Sequence, residues 1–173
     1  MHSEMKESER KMFGIGIITA SDKGSRGERE DTSGRLIATM LSELGEIQCY
    51  KIVADDMELI RKEMLFMADE LKLDLVLTTG GTGMGPRDVT PEATLAVLDR
   101  QVPGIAEAMR AKSMEITSRA MLSRAVAGMR GKTLIINLPG SPKGVQECLE
   151  VILPALEHGL AIMKGEASEC ARH

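Results

Sequence analysis

Residues 73–94, LDLVLTTGGTGMGPRDVTPEAT, admit few folds. Residues 73–79 are mostly apolar and β-branched with little alternation, as in a strand covered on both faces of a parallel sheet. Four glycines follow within six residues, at Gly80, Gly81, Gly83 and Gly85. There the backbone can take positive φ and come close to a ligand. Arg87 and Asp88 come next, then Thr90 as a helix N-cap, Pro91 at the first helical position and Glu92 behind it. Strand, glycine turn, charged pair and helix start together build a phosphate site at the carboxyl end of a strand. A plain strand-to-helix connection rarely needs so many glycines.

The flanking chain fits the same architecture. A strand is expected at 14–20 (GIGIITA), ending at Ser21-Asp22, and a long charged, glycine-containing loop at 23–31 hints at function. A helix with Leu36, Ile37, Met40, Leu41 and Leu44 on one face should close at Gly45. A second strand at 48–53 delivers Asp55-Asp56, and 58–71 reads as a helix through Ile60, Met64, Met67 and Leu71. The helix after Pro91 should reach about Asp99 and break at Pro103-Gly104, with a further helix over 105–115. Residues 132–138 form the last strand, followed by the turn PGSPKG and a helical stripe from Val145 to Met163 that Pro154 should kink or divide. Strands alternate with helices throughout. The expected fold class is therefore α/β, a three-layer, mostly parallel sheet with helices on both faces. It forms one domain over 13–164, with a polar lead at 1–12 and a tail at 165–173.

Composition limits the function. The net charge of -4 and the 2% aromatic content, with no Trp, argue against nucleic-acid binding and base-stacking platforms. The 13 Met residues read as core filler. No apolar run is long enough to span a membrane, and the N-terminus lacks the apolar core of a signal peptide, so a cytoplasmic location is expected. Cys49, Cys148 and Cys170, like His2, His158 and His173, are scattered, which indicates neither a zinc site nor a disulfide framework.

Two familiar phosphate motifs fail. The glycines do not make GxGxxG, and GMRGKT at 128–133 lacks the first glycine of a P-loop and leads into a strand. The whole pattern instead resembles the molybdopterin adenylyltransferase family, which comprises bacterial MogA, MoaB-like proteins and the G domain of gephyrin. The segments that carry the resemblance are GIITASDKGSRGEREDTSG, TTGGTGMGPRDVTPEAT and NLPGSPKG, and with their spacing it covers nearly all of 13–163.

The resemblance implies Mg-ATP-dependent adenylylation of the terminal phosphate of molybdopterin, with release of pyrophosphate, ahead of molybdenum insertion. It implies Asp55 and Asp88 as the catalytic, magnesium-holding carboxylates. The attacking phosphate is already anionic, so such a reaction needs aligned, neutralised phosphates more than a general base. Asp55 also suits a turn or cap before Glu58, with Asp56 as its rival, and Asp88 a charge at a helix start. Backbone N–H groups of Gly80, Gly81, Thr82 and Gly83 would face nucleotide or pyrophosphate oxygens. Ser21 and Asp22 would line the pterin side, and Pro139, Gly140 and Ser141 a second ligand-contacting turn. Lys143 and Arg87 suit either phosphate contact or surface pairing. The family further implies a homotrimer, or a hexamer in some relatives, and hand-over to a molybdenum insertase; the largely uncharged stretch 120–129 is the sequence's own hint of association. A molybdopterin carrier that does not turn over ATP is the alternative. A CinA-like pyrophosphate hydrolase is a third reading, but such proteins carry additional domains for which 173 residues leave no room.

Overall fold

The computed structural model describes residues 12–165. Most of the expected lead at 1–12, the tail beyond Gly165, and with it Cys170, lie outside the described residues. In chain order the elements are β1 (Phe13–Ala20), α1 (Asp22–Ser25), α2 (Thr32–Met40), β2 (Gly45–Val53) and α3 (Met57–Leu65). A π turn (Phe66–Glu70) continues α3 and leads to β3 (Leu75–Thr79), α4 (Thr90–Val97), β4 (Arg100–Gln101) and α5 (Pro103–Met114). A 3₁₀ turn (Ser118–Leu122), β5 (Ala127–Arg130), β6 (Thr133–Leu138) and α6 (Pro142–Met163) complete it.

One six-stranded sheet runs β2-β1-β3-β6-β5-β4. Its first four strands are parallel; β5 and β4 are added antiparallel at one edge. Side chains alternate across the pleat, so each strand feeds two cores. Ile15, Ile17, Leu75, Leu77, Leu134 and Ile136 meet α2, α5 and α6 on one face. Ile18, Val76 and Ile135 meet Ile60 and Met64 of α3 and Ala93 and Val97 of α4 on the other. The three-layer expectation holds.

Register sets where function can sit. Thr19 pairs with Thr79, Thr79 with Leu138, and Ala20 with Val53, so four parallel strands end level. Ser21, Asp55, Gly80 and Pro139 all emerge from that edge.

Several local expectations change. Gly45 opens β2 rather than closing a helix, and Pro103 starts α5, where a missing N–H costs nothing. The loop at 23–31 begins inside a short capped helix. The π turn inserts an extra residue into the helical phase. Met67 and Ala68 stay buried, whereas Leu71, expected on the apolar face, is 40% exposed. α6 runs unbroken through Pro154: that residue and Glu150 lie on the exposed side, while Ile152 and Leu156 hold both halves on one core. The GMRGKT segment is the β5–β6 hairpin. The stretch 120–129 splits, with Met121 and Leu122 exposed and Ala125 and Ala127 buried.

Candidate active site

Ser21 closes β1 with its N–H on the Val53 carbonyl, and its Oγ caps α1 by accepting the Gly24 N–H at 2.9 Å. Asp22 and Asp55 then grip each other. The Asp22 N–H donates to Asp55 Oδ2 and the Asp55 N–H to Asp22 Oδ1, both at 3.0 Å. Arg87 donates to both carboxylate oxygens of Asp22, from Nε at 3.0 Å and Nη2 at 2.9 Å. Of its two expected roles Arg87 therefore takes the ion pair, in a bidentate fork that fixes geometry as well as charge.

Of Asp55 and Asp56, the second is the helix cap. Asp56 accepts the Leu59 N–H at 3.0 Å and starts α3, which leaves the Asp55 carboxylate for the cleft. Burial pushes the Asp55 carboxyl above the ordinary range; the Asp22 N–H pulls it back, and the Asp22 and Asp88 charges push it up again. The Asp22 carboxyl is held below its ordinary value by Arg87 and by the Asp55 N–H.

The glycine loop is needed for contact as much as for φ. Gly80 and Gly81 have φ of 91° and 70°. A Cβ on Gly80 would stand 2.4 Å from the Ala20 carbonyl oxygen. One on Gly81 would meet Thr90 Oγ1 at 2.3 Å and Asp55 Oδ1 at 3.3 Å. The Asp88 carboxylate folds back over the loop, accepting the Gly85 N–H at 2.9 Å. Thr90 is not the cap expected of it. It is the first residue of α4, Val89 holds the N-cap position with no side-chain bond, and Thr90 Oγ1 is buried with no hydrogen-bond partner among the described residues.

Two residues that the sequence reading passed over organise the site. Asp31 caps α2 through the Gly34 N–H at 3.0 Å and accepts from Thr19 Oγ1 at 2.7 Å and from the Tyr50 hydroxyl. Burial, helped by Asp31, pushes the Tyr50 phenol up to about 12. Arg124 donates from Nε to the Gly83 carbonyl and from Nη2 to the Asp88 carbonyl, each at 2.7 Å, and its Nη1 reaches Glu92. Its backbone N–H takes the Thr82 carbonyl at 2.8 Å. The available signal was a lone charge within 120–129, since an isolated arginine in an apolar stretch needs partners.

Two clefts flank the glycine turn. One, of about 500 Å³, is lined by Ser21, Asp31, Asp55, Gly80, Gly81, Asp88 and Gly140. The other, about 530 Å³ and mainly apolar, is walled by Thr82, Gly83, Pro139, Met109, Ile116 and Leu122, with Arg110, Arg119 and Lys143 bringing positive charge. Ser141 lines both. All the expected residues thus gather at one edge of the sheet. Asp22, though, is committed to Arg87 and Asp55 and is absent from either lining.

The first cleft fits a magnesium–phosphate group. Asp55 and Asp88 offer hard carboxylate oxygens, and their mutual repulsion is what a divalent cation relieves. Among the described residues no three His, Cys, Asp or Glu side chains form a metal cage. Magnesium is commonly held by one or two carboxylates together with substrate phosphates.

A family model described as "Probable molybdopterin binding domain" matches residues 16–158. The chain belongs to the molybdopterin-binding domain family. Within it, molybdopterin adenylyltransferase of Helicobacter pylori is 48% identical over 154 residues, 87% of this chain and 88% of that one. The molybdopterin biosynthesis enzyme MoaB of Thermus thermophilus shares 52% identity at a TM-score of 0.85, covering 91% of this chain and all of that one. The tungsten cofactor synthesizing protein MoaB of Pyrococcus furiosus shares 43% at a TM-score of 0.81, over 89% and 98%. The family resemblance read from the three motif segments is therefore correct. No helix among the described residues is long and apolar enough to cross a membrane.

Proposed function

We propose that the chain is a molybdopterin adenylyltransferase of molybdenum cofactor biosynthesis: it joins AMP from ATP to the terminal phosphate of molybdopterin and releases pyrophosphate. The relatives named for this activity, at 48% identity over most of both chains, support it. The observation that carries the reading here is the placing of Asp55, just past β2, and Asp88, at the end of the glycine loop before α4, in one cleft, against a glycine turn whose far side forms a second cleft.

In this reading each cleft takes one ring system and the reacting phosphates meet over Gly80, Gly81, Thr82 and Gly83. Asp55 and Asp88 hold Mg²⁺, which neutralises phosphate charge while in place. The Asp22–Arg87 pair fixes Asp55. Ser21, Pro139, Gly140 and Ser141 shape the cleft walls, and Arg110, Arg119 and Lys143 supply positive charge for phosphate. In-line transfer between two bound anions then depends on alignment more than on proton transfer. Assembly as a homotrimer follows the family resemblance, and Met121, at 60% exposure, offers apolar surface for it. The location is cytoplasmic, with the product passed to a molybdenum insertase.

The test is direct. Purified protein is mixed with molybdopterin, ATP and Mg²⁺, and adenylylated pterin is followed by mass spectrometry. Product that requires magnesium supports the enzyme. Tight pterin binding without product overturns it in favour of a carrier.

A further inference from the structure

Arg124 comes from the far side of the glycine loop, between the 3₁₀ turn and β5, and makes three hydrogen bonds to its carbonyls. Its backbone N–H and Nε take the successive carbonyls of Thr82 and Gly83, and Nη2 takes that of Asp88. In a trans peptide the C=O and the N–H of the next residue point in opposite directions. Anchoring the Thr82 and Gly83 carbonyls on Arg124 therefore turns the Gly83 and Met84 N–H groups away from it. Among the described residues neither N–H has a protein acceptor. Two successive free N–H groups on a glycine turn form an anion-binding nest.

The clamp has its own brace. Arg110 of α5 donates from Nη1 to the Ala125 carbonyl at 2.8 Å and the Ser123 carbonyl at 3.3 Å, the residues on either side of Arg124. Arg124 also pairs with Glu92, but both side chains are more than a third exposed, where an ion pair is worth little. The carbonyl contacts carry the geometry.

We propose that Arg124 is a positioning residue for adenylyl transfer, acting through the loop 82–88. It aims the Gly83 and Met84 N–H groups at phosphate and fixes the backbone that carries Asp88. The inference rests on the reading of Asp88 and this loop as the magnesium–nucleotide site.

The full chain is assayed with molybdopterin, ATP and varied Mg²⁺. Arg124→Ala is expected to lower kcat by about 10²-fold, the cost of small misplacement at a reacting centre. It should also raise the magnesium concentration at half-maximal rate, and added methylguanidine should restore part of the lost kcat. Arg124→Lys should stay at least about tenfold impaired, because one ammonium cannot span two carbonyls as the planar fork does. Glu92→Gln should remain near the parent. If the alanine variant does not fold, Arg124→Gln is measured in its place with the same expectation. Parental kcat and magnesium dependence in Arg124→Ala would overturn the proposal. So would full recovery in Arg124→Lys, or a loss in Glu92→Gln as large as in Arg124→Ala. Asp88→Asn, run alongside, separates the two readings. If it turns over at the parental rate the magnesium assignment fails, whatever Arg124 shows. If it is inactive while Arg124→Ala is parental, only the Arg124 proposal fails.

Discussion

Asp22 and Asp55 each receive the other's backbone N–H on a carboxylate oxygen at 3.0 Å. This reciprocal clasp ties the end of β1 to the end of β2, and Arg87 locks it from the glycine loop with two bonds to Asp22. Three strand ends are thereby fixed relative to one another around a single carboxylate, Asp55. Two acidic side chains so close would otherwise repel; the guanidinium offsets one of them and leaves the other to face the cleft.

Removing the lock should show in the pH profile. Arg87 favours the charged forms of both Asp22 and Asp55, so Arg87→Ala raises both carboxyls. If Asp55 must be ionised to work, the acid limb of kcat/KM moves to higher pH in the variant, and the rate at neutral pH falls by about tenfold through loss of alignment. Rates measured from pH 4 to 8 check this. A limb that stays in place or moves down would contradict the arrangement.

Among the described residues the Asp88 carboxylate accepts one hydrogen bond, from the Gly85 N–H to Oδ2. An amide oxygen at the same place can keep it. Asp88→Asn should therefore unfold at the parental temperature while losing turnover by about 10²-fold or more, the scale of a lost charge-stabilising group at a reacting centre. Calorimetry and the mass-spectrometric assay, on one preparation, report the two quantities separately. A matched fall in both would make Asp88 structural.

The chain has a single tyrosine, so the phenolate absorption band reports Tyr50 alone. Burial and the bond to Asp31 raise it to about 12 in the folded state, above the ordinary value of 10.0. The sign follows from linkage. Between those values the unfolded chain loses the phenolic proton while the folded one keeps it, so stability contributed by Tyr50 is present below pH 10 and lost as pH rises towards 12. Ultraviolet titration of the native protein should give a midpoint near 12, and Tyr50→Phe should lack that alkaline step in its stability curve. A midpoint near 10 would mean that the phenol is neither buried nor held by Asp31 as described.

What the sequence reading captured and missed has physical causes. β3 and the glycine turn were legible because their signals are local: a run of apolar residues and positive-φ positions. β4 and β5 were not, being two and four residues long, too short for periodicity to register. Leu71 was misplaced because the π turn shifts the helical phase, and nothing in its composition announces that turn. Arg124 lies 36 residues from Asp88, and its partners are backbone carbonyls, which no side-chain pattern encodes. Which of Asp55 and Asp56 caps α3 is shown by the Leu59 N–H, which donates to Asp56.

Thr90 offers the last test, because it stands where a cap was expected and does not cap. Its hydroxyl is fully buried, has no partner among the described residues, and fits only because Gly81 has no side chain. An unpaired buried hydroxyl costs about 1–3 kcal/mol, whereas an apolar group of the same shape costs nothing of the kind. Thr90→Val should therefore stabilise the magnesium- and nucleotide-free protein by about 1 kcal/mol or more in urea unfolding. Its backbone carbonyl, which accepts from Thr94 Oγ1 at 2.7 Å, is untouched by the change. The same unfolding experiment with Mg-ATP present asks what the hydroxyl is for. If it serves the bound state, the nucleotide stabilises the valine variant less than the parent and the gain shrinks. If it is only a structural cost, the gain is the same in both conditions. A variant less stable than the parent without ligand would show that the hydroxyl has a partner in solution, and Thr90 would then be a satisfied residue of the α4 start.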